Sequence, residues 1–177
     1  MANIVYIATS LDGYIADKQG GLDWLHSIPN PAQDDFGFAI FMNRVDAVVM
    51  GRVTFDVVCS FDCPWPYAKP VFVLSQTLSS IPEAFQDKAE LVNGSLQTIL
   101  KQLHDRGYRN LYIDGGKTIQ EFLKQDLIDE MIISTVPILL GDGVPLFGEL
   151  VKPLDFHYLK TDVYLNAIVK SHYRRIR

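Results

Sequence analysis

The sequence is poor in the residues that build metal sites and disulfide frameworks. Its 177 residues include two cysteines, Cys59 and Cys63, and four scattered histidines. A structural zinc site takes four ligands at close, paired spacings, and no H-x-x-x-H or H-x-E pattern occurs here. We therefore expect free thiols and no metal centre.

An excess of positive charge and a long apolar segment are also missing. Lys and Arg number 16 against 21 Asp and Glu, which gives a net charge of −5. That balance argues against a general nucleic-acid surface or an anionic-membrane binder. The start, Met1–Val5, has no basic region and no long apolar stretch, so we expect neither a signal peptide nor a membrane span. The expectation is a cytoplasmic protein with one domain over residues 1–177 and no linker or repeat.

What is present centres on residues 111–123, where an apolar run ends in two glycines and leads into helical spacing. This pattern predicts a buried strand that turns sharply into a helix. Gly115 and Gly116 would let a ligand approach the backbone, and the N–H groups of the first helical turn attract phosphate. Lys117 and Thr118 add a cation and a hydroxyl. The stretch predicts a phosphate-bearing ligand.

Two known phosphate-binding motifs do not fit this stretch. A P-loop needs a glycine five residues before Gly116, where Leu111 stands. A dinucleotide G-x-G-x-x-G also fails, because the two glycines are adjacent and no third follows at the right place. A tight turn without any ligand stays open on these residues alone.

Two further strand ends carry similar residues. A buried strand over 46–50 is followed by Gly51, Arg52 and Thr54, and a strand over 70–74 is followed by Ser75. Ligands of open α/β sheets bind at the carboxyl edge of the strands. The coincidence favours a nucleotide over an empty turn.

The remaining chain predicts the rest of a mostly parallel α/β sheet. Strands are expected over 3–9, 89–92 and 129–137, and Ser95 is expected to cap a helix that ends near Gly107. Two alternating runs, 155–163 and 167–176, are separated by three residues. Such a short connection predicts an antiparallel hairpin at the C-terminal end.

Five segments in this order resemble the dihydrofolate reductase superfamily, and more closely its branch related to the reductase domain of the bifunctional deaminase-reductase of riboflavin synthesis. They are Ser10–Ala16, Val49–Phe55, Val73–Ser75, Asp114–Gly116, and Asp129–Glu130 with Pro137–Phe147. The resemblance implies a single-domain, dihydrofolate-reductase-like α/β fold. The zinc-deaminase signature of the bifunctional enzyme, H-x-E with P-C-x-x-C, does not occur.

The resemblance also implies NADPH as the cofactor. The pyrophosphate would lie on one set of residues near the two glycine junctions: Gly51, Arg52, Thr54, Gly115, Gly116, Lys117 and Thr118. Arg52 and Ser75 would meet the 2′-phosphate, since a guanidinium and a hydroxyl suit a dianion. Leu74 would join them in binding the cofactor, and Ala8 and Ile15 would flank the nicotinamide.

For the substrate, the resemblance implies Asp35 as an acidic residue that promotes protonation, supported by Trp24 and Ser134. The residues themselves leave two roles open for Asp35. In a cleft, desolvation would raise its pKa toward one useful for proton transfer. As a cap of the following helix, it would have a lowered pKa.

The resemblance implies an NADPH-dependent reductase of a small pyrimidine- or pterin-type heterocycle, most like 5-amino-6-(5-phosphoribosylamino)uracil reductase. The alternatives are dihydrofolate reductase activity and a non-catalytic NADP-binding module. A phosphorylated substrate would need a basic residue, for which Arg44 and Lys69 are candidates. The family often pairs subunits, so we also expect a homodimer, with no nucleic-acid or membrane partner.

Overall fold

The computed structural model describes all 177 residues, as a central sheet with helices on both faces. The strands are β1 (Ala2–Ser10), β2 (Tyr14–Ala16), β3 (Ala47–Gly51), β4 (Val71–Leu74), β5 (Ala89–Val92), β6 (Asn110–Asp114), β7 (Glu130–Val136), β8 (Val144–Pro145), β9 (Phe156–Tyr164) and β10 (Ile168–Arg175). The α-helices are α1 (Phe38–Met42), α2 (Arg52–Cys59), α3 (Leu96–Asp105) and α4 (Gly116–Lys124), and 3₁₀ turns cover Asp23–His26 and Glu83–Phe85.

The main sheet has eight strands in the order β5-β4-β3-β6-β1-β7-β10-β9. The pairs from β5 to β7 are parallel, whereas β10 runs antiparallel to both β7 and β9. The predicted mostly parallel sheet with a C-terminal antiparallel hairpin is confirmed. The hairpin turns at Leu165 and Asn166, which both have positive φ, and the Ala167 N–H closes this β-turn by donating to the Tyr164 carbonyl.

Two apolar cores lie on opposite faces of the sheet. On one face, α3 and α4 cover strand residues such as Val49 and Ile113. On the other face, α1 and the Phe55 side chain of α2 cover residues such as Met50 and Tyr112. Both faces of β3 are therefore buried, which explains why Ala47–Met50 is an unbroken apolar run rather than an alternating one.

A small second sheet, β2 with β8, joins the loop after β1 to the loop after β7. Asp12 holds these loops together, because its carboxylate accepts hydrogen bonds from the backbone N–H groups of Leu140 and Gly141 at 3.1 and 2.8 Å. The Ser10 hydroxyl donates to the same carboxylate at 2.6 Å. Neither segment has a sequence pattern that predicts this small sheet.

No helix in the structure has the length and apolar character needed to cross a membrane.

Candidate active site

A cleft of about 1030 Å³ opens at the carboxyl edge of the parallel strands. The edge is formed by the ends of β3, β4, β5 and β6, together with residues 6–8 of β1. The lining includes all eleven residues that the sequence assigned to the cofactor: Ala8, Ile15, Gly51, Arg52, Thr54, Leu74, Ser75, Gly115, Gly116, Lys117 and Thr118. Residues from five separate segments therefore share one cavity.

Two helices begin at this cleft without a capping side chain. Gly51 precedes α2 and Gly115 precedes α4, and neither helix has a side-chain hydrogen bond at its start. In contrast, α3 is capped by the Ser95 hydroxyl, which accepts from the Thr98 N–H at 3.2 Å. Because the N–H groups of a first turn have no acceptor within the helix, α2 and α4 both present free donors to a ligand.

The two uncapped helix starts are packed against each other through a reciprocal glycine–threonine contact. A Cβ at Gly115 would collide with the Thr54 hydroxyl of α2, and a Cβ at Gly51 would lie 2.7 Å from the Thr118 Oγ1 of α4. Gly115 also has a φ of +92°, which glycine adopts without a steric cost. The glycines are therefore required for the close approach of the two helices as well as for the sharp strand-to-helix turn.

We predict that Gly115→Ala lowers the free energy of unfolding by about 2–4 kcal/mol, the sum of a positive-φ cost and an overpacking cost. Gly107→Ala is the matched control, because Gly107 has a φ of +95° with no atom within 4 Å of its added Cβ. Only the backbone cost, about 1 kcal/mol, is expected there. Urea unfolding of both variants measures the difference; equal losses would contradict the proposed packing of Thr54 against Gly115.

The cationic and hydroxyl groups near these helix starts are accessible. Arg52 is half-exposed, and its guanidinium lies 3.4 Å from both the Asp56 carboxylate and the Thr77 hydroxyl. The Ser75 hydroxyl oxygen accepts from the N–H groups of Thr77 and Leu78, which leaves its hydrogen free to donate. Both side chains can therefore bind an anion without breaking a buried interaction.

One carboxyl group, Asp114 at the end of β6, lies in the cleft beside aromatic side chains. It accepts from the Gly115 N–H at 2.8 Å and from the Tyr67 hydroxyl at 3.2 Å. Burial raises the pKa of Asp114, and this effect outweighs the opposite effect of those hydrogen bonds. A carboxyl with a raised pKa in a cleft is a candidate for proton transfer to a bound ligand.

The three residues proposed for the substrate do not line the cleft. The exposed carboxylate of Asp35 accepts from the N–H groups of Gly37 and Ala39 at 2.8 and 2.9 Å. The Ala39 and Gly37 N–H groups lower the pKa of Asp35. This geometry corresponds to the helix-cap alternative, in which the side chain serves α1 rather than a bound ligand.

Trp24 and Ser134 are both buried, and neither lines the cavity. Trp24 packs with Val136 and Ile168 in a small third core, and its indole N–H has no hydrogen-bond partner. Ser134 lies in β7, opposite Ala8 of β1 and Lys170 of β10. Trp24 lies in the 3₁₀ turn Asp23–His26 and Ser134 in β7, so either residue can influence the site only through the segment that carries it.

Sequence reasoning did not assign several residues that the fold brings to the cleft. Tyr67 comes from the loop before β4, and Asn93, Gly94 and Ser95 come from the turn between β5 and α3. The strand–Asn-Gly-Ser–helix pattern was a usable signal for the second group, since it repeats the junctions at Gly51 and Gly115. Tyr67 had no such signal, because residues 61–70 carry no periodic pattern.

Open α/β sheets with ligand-binding residues at their carboxyl edge are typical of nucleotide-dependent enzymes. The sequence family described as the RibD C-terminal domain matches residues 3–169. The chain therefore belongs to the RibD C-terminal domain family.

Three solved structures illustrate these relationships. A protein of Shewanella sp. PV-4, assigned provisionally to riboflavin biosynthesis, is 60% identical, with full coverage of both chains and a TM-score of 0.98. The diaminohydroxyphosphoribosylaminopyrimidine deaminase/5-amino-6-(5-phosphoribosylamino)uracil reductase of Thermotoga maritima is 19% identical over 99% of this chain and 56% of that one, with a TM-score of 0.74. Dihydrofolate reductase from Enterococcus faecalis, in complex with NADP(H) and RAB-propyl, is 17% identical over 98% and 96%, with a TM-score of 0.68. The last two show a shared fold.

Proposed function

We propose that this chain is an NADPH-dependent reductase that transfers hydride to a pyrimidine- or pterin-type heterocycle. The observation that carries the proposal is the pair of uncapped helix starts, α2 and α4, packed together at the edge of a large cleft with Arg52 and Lys117 in their first turns. Free N–H groups and two cations are suited to the pyrophosphate and 2′-phosphate of a dinucleotide. Membership of the family and the NADP(H) complex of the Enterococcus enzyme support this cofactor.

Each cofactor residue has a definite part in the proposal. The first-turn N–H groups after Gly51 and Gly115 bind the pyrophosphate, with the hydroxyls of Thr54 and Thr118 beside them. Arg52 and Ser75 bind the 2′-phosphate, and the Leu74 backbone and side chain form the wall next to them. Ala8 and Ile15 exclude water around the nicotinamide, which supplies the hydride when the cofactor is bound.

Asp114 is the proposed source of the proton. Reduction of a C=N bond adds a hydride to carbon and a proton to nitrogen, so the site needs an acid as well as a hydride donor. Asp114 is one of two carboxyl groups in the cleft lining, and the other, Glu121, is exposed on α4. The Tyr67 hydroxyl and Gly115 N–H orient the Asp114 carboxyl toward the substrate.

The proposal is tested by incubating purified protein with NADPH and a panel of heterocycles, and by following the loss of NADPH absorbance. We expect oxidation with a compound of the ribosylaminouracil type, which the family resemblance favours, and dihydrofolate is the alternative substrate. Saturable NADPH binding without NADPH oxidation in the presence of any heterocycle would favour the alternative function, a non-catalytic NADP-binding module. Failure to bind NADPH would contradict both functions.

We also propose that the chain acts as a single reductase domain in the cytoplasm and forms a homodimer through the exposed face of its C-terminal hairpin. Val163 of β9 lies opposite Val169 of β10, and these side chains are 61% and 40% exposed. Tyr158 and Tyr173 form a second pair on that face, with ring centroids 6.3 Å apart. Exposed apolar pairs on an open sheet face are typical of interaction surfaces.

Light scattering tests the predicted homodimer directly, because it measures the mass of the protein in solution. The wild-type protein is expected to have twice the mass of one chain, and Val169→Lys is expected to have the mass of one chain, because a charge would be buried without a partner. Val151→Lys, at an exposed position outside the hairpin, is the matched control and should remain a dimer. A monomeric wild-type protein would contradict the pairing.

A further inference from the structure

The small sheet of β2 and β8 forms one wall of the cleft. Ile15 and Ala16 of β2 and Val144 of β8 all lie in the cleft lining. The two strands have only three and two residues, and a pair of such short strands is at best marginally stable by itself in water. The position of this wall therefore depends on the elements that pack behind it.

One face of α4 lies directly behind the wall. Gly116 and Gln120 are four positions apart in this helix, so they share a face and are separated by one turn. A Cβ at Gly116 would lie 2.8 Å from the Ile15 Cδ1 atom and 3.5 Å from the Pro145 carbonyl oxygen. Because Gly116 has no side chain, both strands of the wall can contact the first turn of α4.

Gln120 supplies the hydrogen bonds on this face of the helix. Its side-chain Nε2 group donates to the Pro145 carbonyl at 2.9 Å and to the Leu146 carbonyl at 3.4 Å. The Leu146 N–H in turn donates to the Gly13 carbonyl at 3.0 Å, and β8 pairs with β2 in antiparallel fashion. The side chain of Leu146 is fully buried in the core that includes α4. A continuous set of hydrogen bonds therefore connects α4 with the segment that carries Ile15.

We propose that Gln120 is a positioning residue, which holds the wall of β2 and β8 against α4 and thereby fixes Ile15 beside the nicotinamide of a bound dinucleotide. Gln120 does not line the cleft, so it acts through this wall rather than by contact with the ligand. The inference rests on the proposed function, in which the first turn of α4 binds the pyrophosphate. One helix then locates both the pyrophosphate and the nicotinamide. Carbonyl oxygens only accept hydrogen bonds, so a side chain without a donor cannot replace the amide.

Hydrogen exchange of the cofactor-free protein tests the link between Gln120 and the wall. Gln120→Met keeps the length and the helix propensity of the side chain but removes the donor. We expect amide exchange in residues 13–16 and 144–146 to become about five- to tenfold faster. Gln102→Met, at an exposed position of α3, is the matched control and should exchange like the wild type. Unchanged exchange of residues 13–16 in Gln120→Met would overturn the proposal.

Two ligands that differ at the nicotinamide measure the consequence for cofactor binding. NADPH contains the whole cofactor, whereas 2′-phospho-ADP-ribose keeps the adenosine, the 2′-phosphate and the pyrophosphate but has no nicotinamide. Isothermal titration calorimetry gives both dissociation constants for the wild type, Gln120→Met and Gln102→Met. We expect Gln120→Met to weaken NADPH binding by about five- to tenfold and 2′-phospho-ADP-ribose binding by less than about twofold. General damage to the fold would instead weaken both ligands by the same factor.

The outcomes distinguish this inference from the proposed function. Equal losses for the two ligands in Gln120→Met, or an unchanged affinity for NADPH, would overturn the positioning role and leave NADPH as the cofactor. Failure of the wild-type protein to bind either ligand would refute the cofactor itself, and with it any positioning of its nicotinamide.

Discussion

Replacing Asp114 by Asn is expected to lower kcat for heterocycle reduction about a hundredfold, the usual size of a general-acid contribution. The amide keeps the shape of the side chain but cannot release a proton to the substrate nitrogen. Because the substitution removes a carboxyl whose ionised form is disfavoured by burial, the fold should be at least as stable as that of the wild type. NADPH affinity should not change, since the amide keeps an oxygen that can accept from the Gly115 N–H beside the proposed cofactor site.

The pH dependence of kcat tests whether Asp114 acts in its protonated form. Burial raises the pKa of Asp114, so the protonated acid persists to a higher pH than in an exposed aspartate. The wild-type kcat should be high below that pKa and should fall as the pH rises through it; the decline should be absent from the residual rate of Asp114→Asn.

Asp46→Asn is the matched control for this experiment. The Asp46 carboxylate accepts from the N–H groups of Arg109 and Asn110, both at 2.8 Å, far from the carboxyl ends of the strands. The kcat of the Asp46→Asn variant is therefore expected to equal that of the wild type. Asp114→Asn with a normal kcat and a normal pH profile would show that another group supplies the proton.

Arg52→Ala is expected to weaken NADPH binding by about 10- to 100-fold and NADH binding by less than about twofold, because one charged hydrogen-bonding pair is lost only when the 2′-phosphate is present. The ion pair of Arg52 with Asp56 is exposed at 3.4 Å, so its loss should not unfold the protein. Fluorescence titration with each cofactor provides the two dissociation constants.

Lys117→Ala is the matched control, because it tests whether the loss of any cation in the cleft changes the selectivity for NADPH over NADH. Lys117 lies in the first turn of α4, where the pyrophosphate common to both cofactors is proposed to bind. Its loss should weaken NADPH and NADH by similar factors. An equal loss for both cofactors in Arg52→Ala as well would contradict the assignment of Arg52 to the 2′-phosphate.

The parts of the fold that could be predicted from sequence are those with a strong local signal. Buried runs such as 47–50 and 111–113 identify central strands, and the glycines that follow them mark the turns into α2 and α4. The two alternating runs at the C-terminal end gave the hairpin within one or two residues of its bounds. These signals predict where the parallel strands end, and therefore which residues meet at the carboxyl edge and line the cleft.

The parts that could not be predicted depend on contacts between distant segments. The strands β2 and β8 have three and two residues, and they exist because Asp12 joins two loops about 130 positions apart. The orientation of Asp35 depends on backbone torsions at Phe36 and Gly37, both of positive φ, which turn the carboxylate onto the start of α1. In the sequence Asp114 stands out only as part of a glycine motif, because its proposed role as an acid depends on burial beside Tyr67, which the sequence does not reveal.

The most direct test of the central claim is a crystal structure of the protein grown with saturating NADPH. The account predicts the pyrophosphate between the first turns of α2 and α4, the 2′-phosphate at Arg52 and Ser75, and the nicotinamide beside Ala8 and Ile15. Electron density for the cofactor at another surface, or a cleft without cofactor under these conditions, would contradict it.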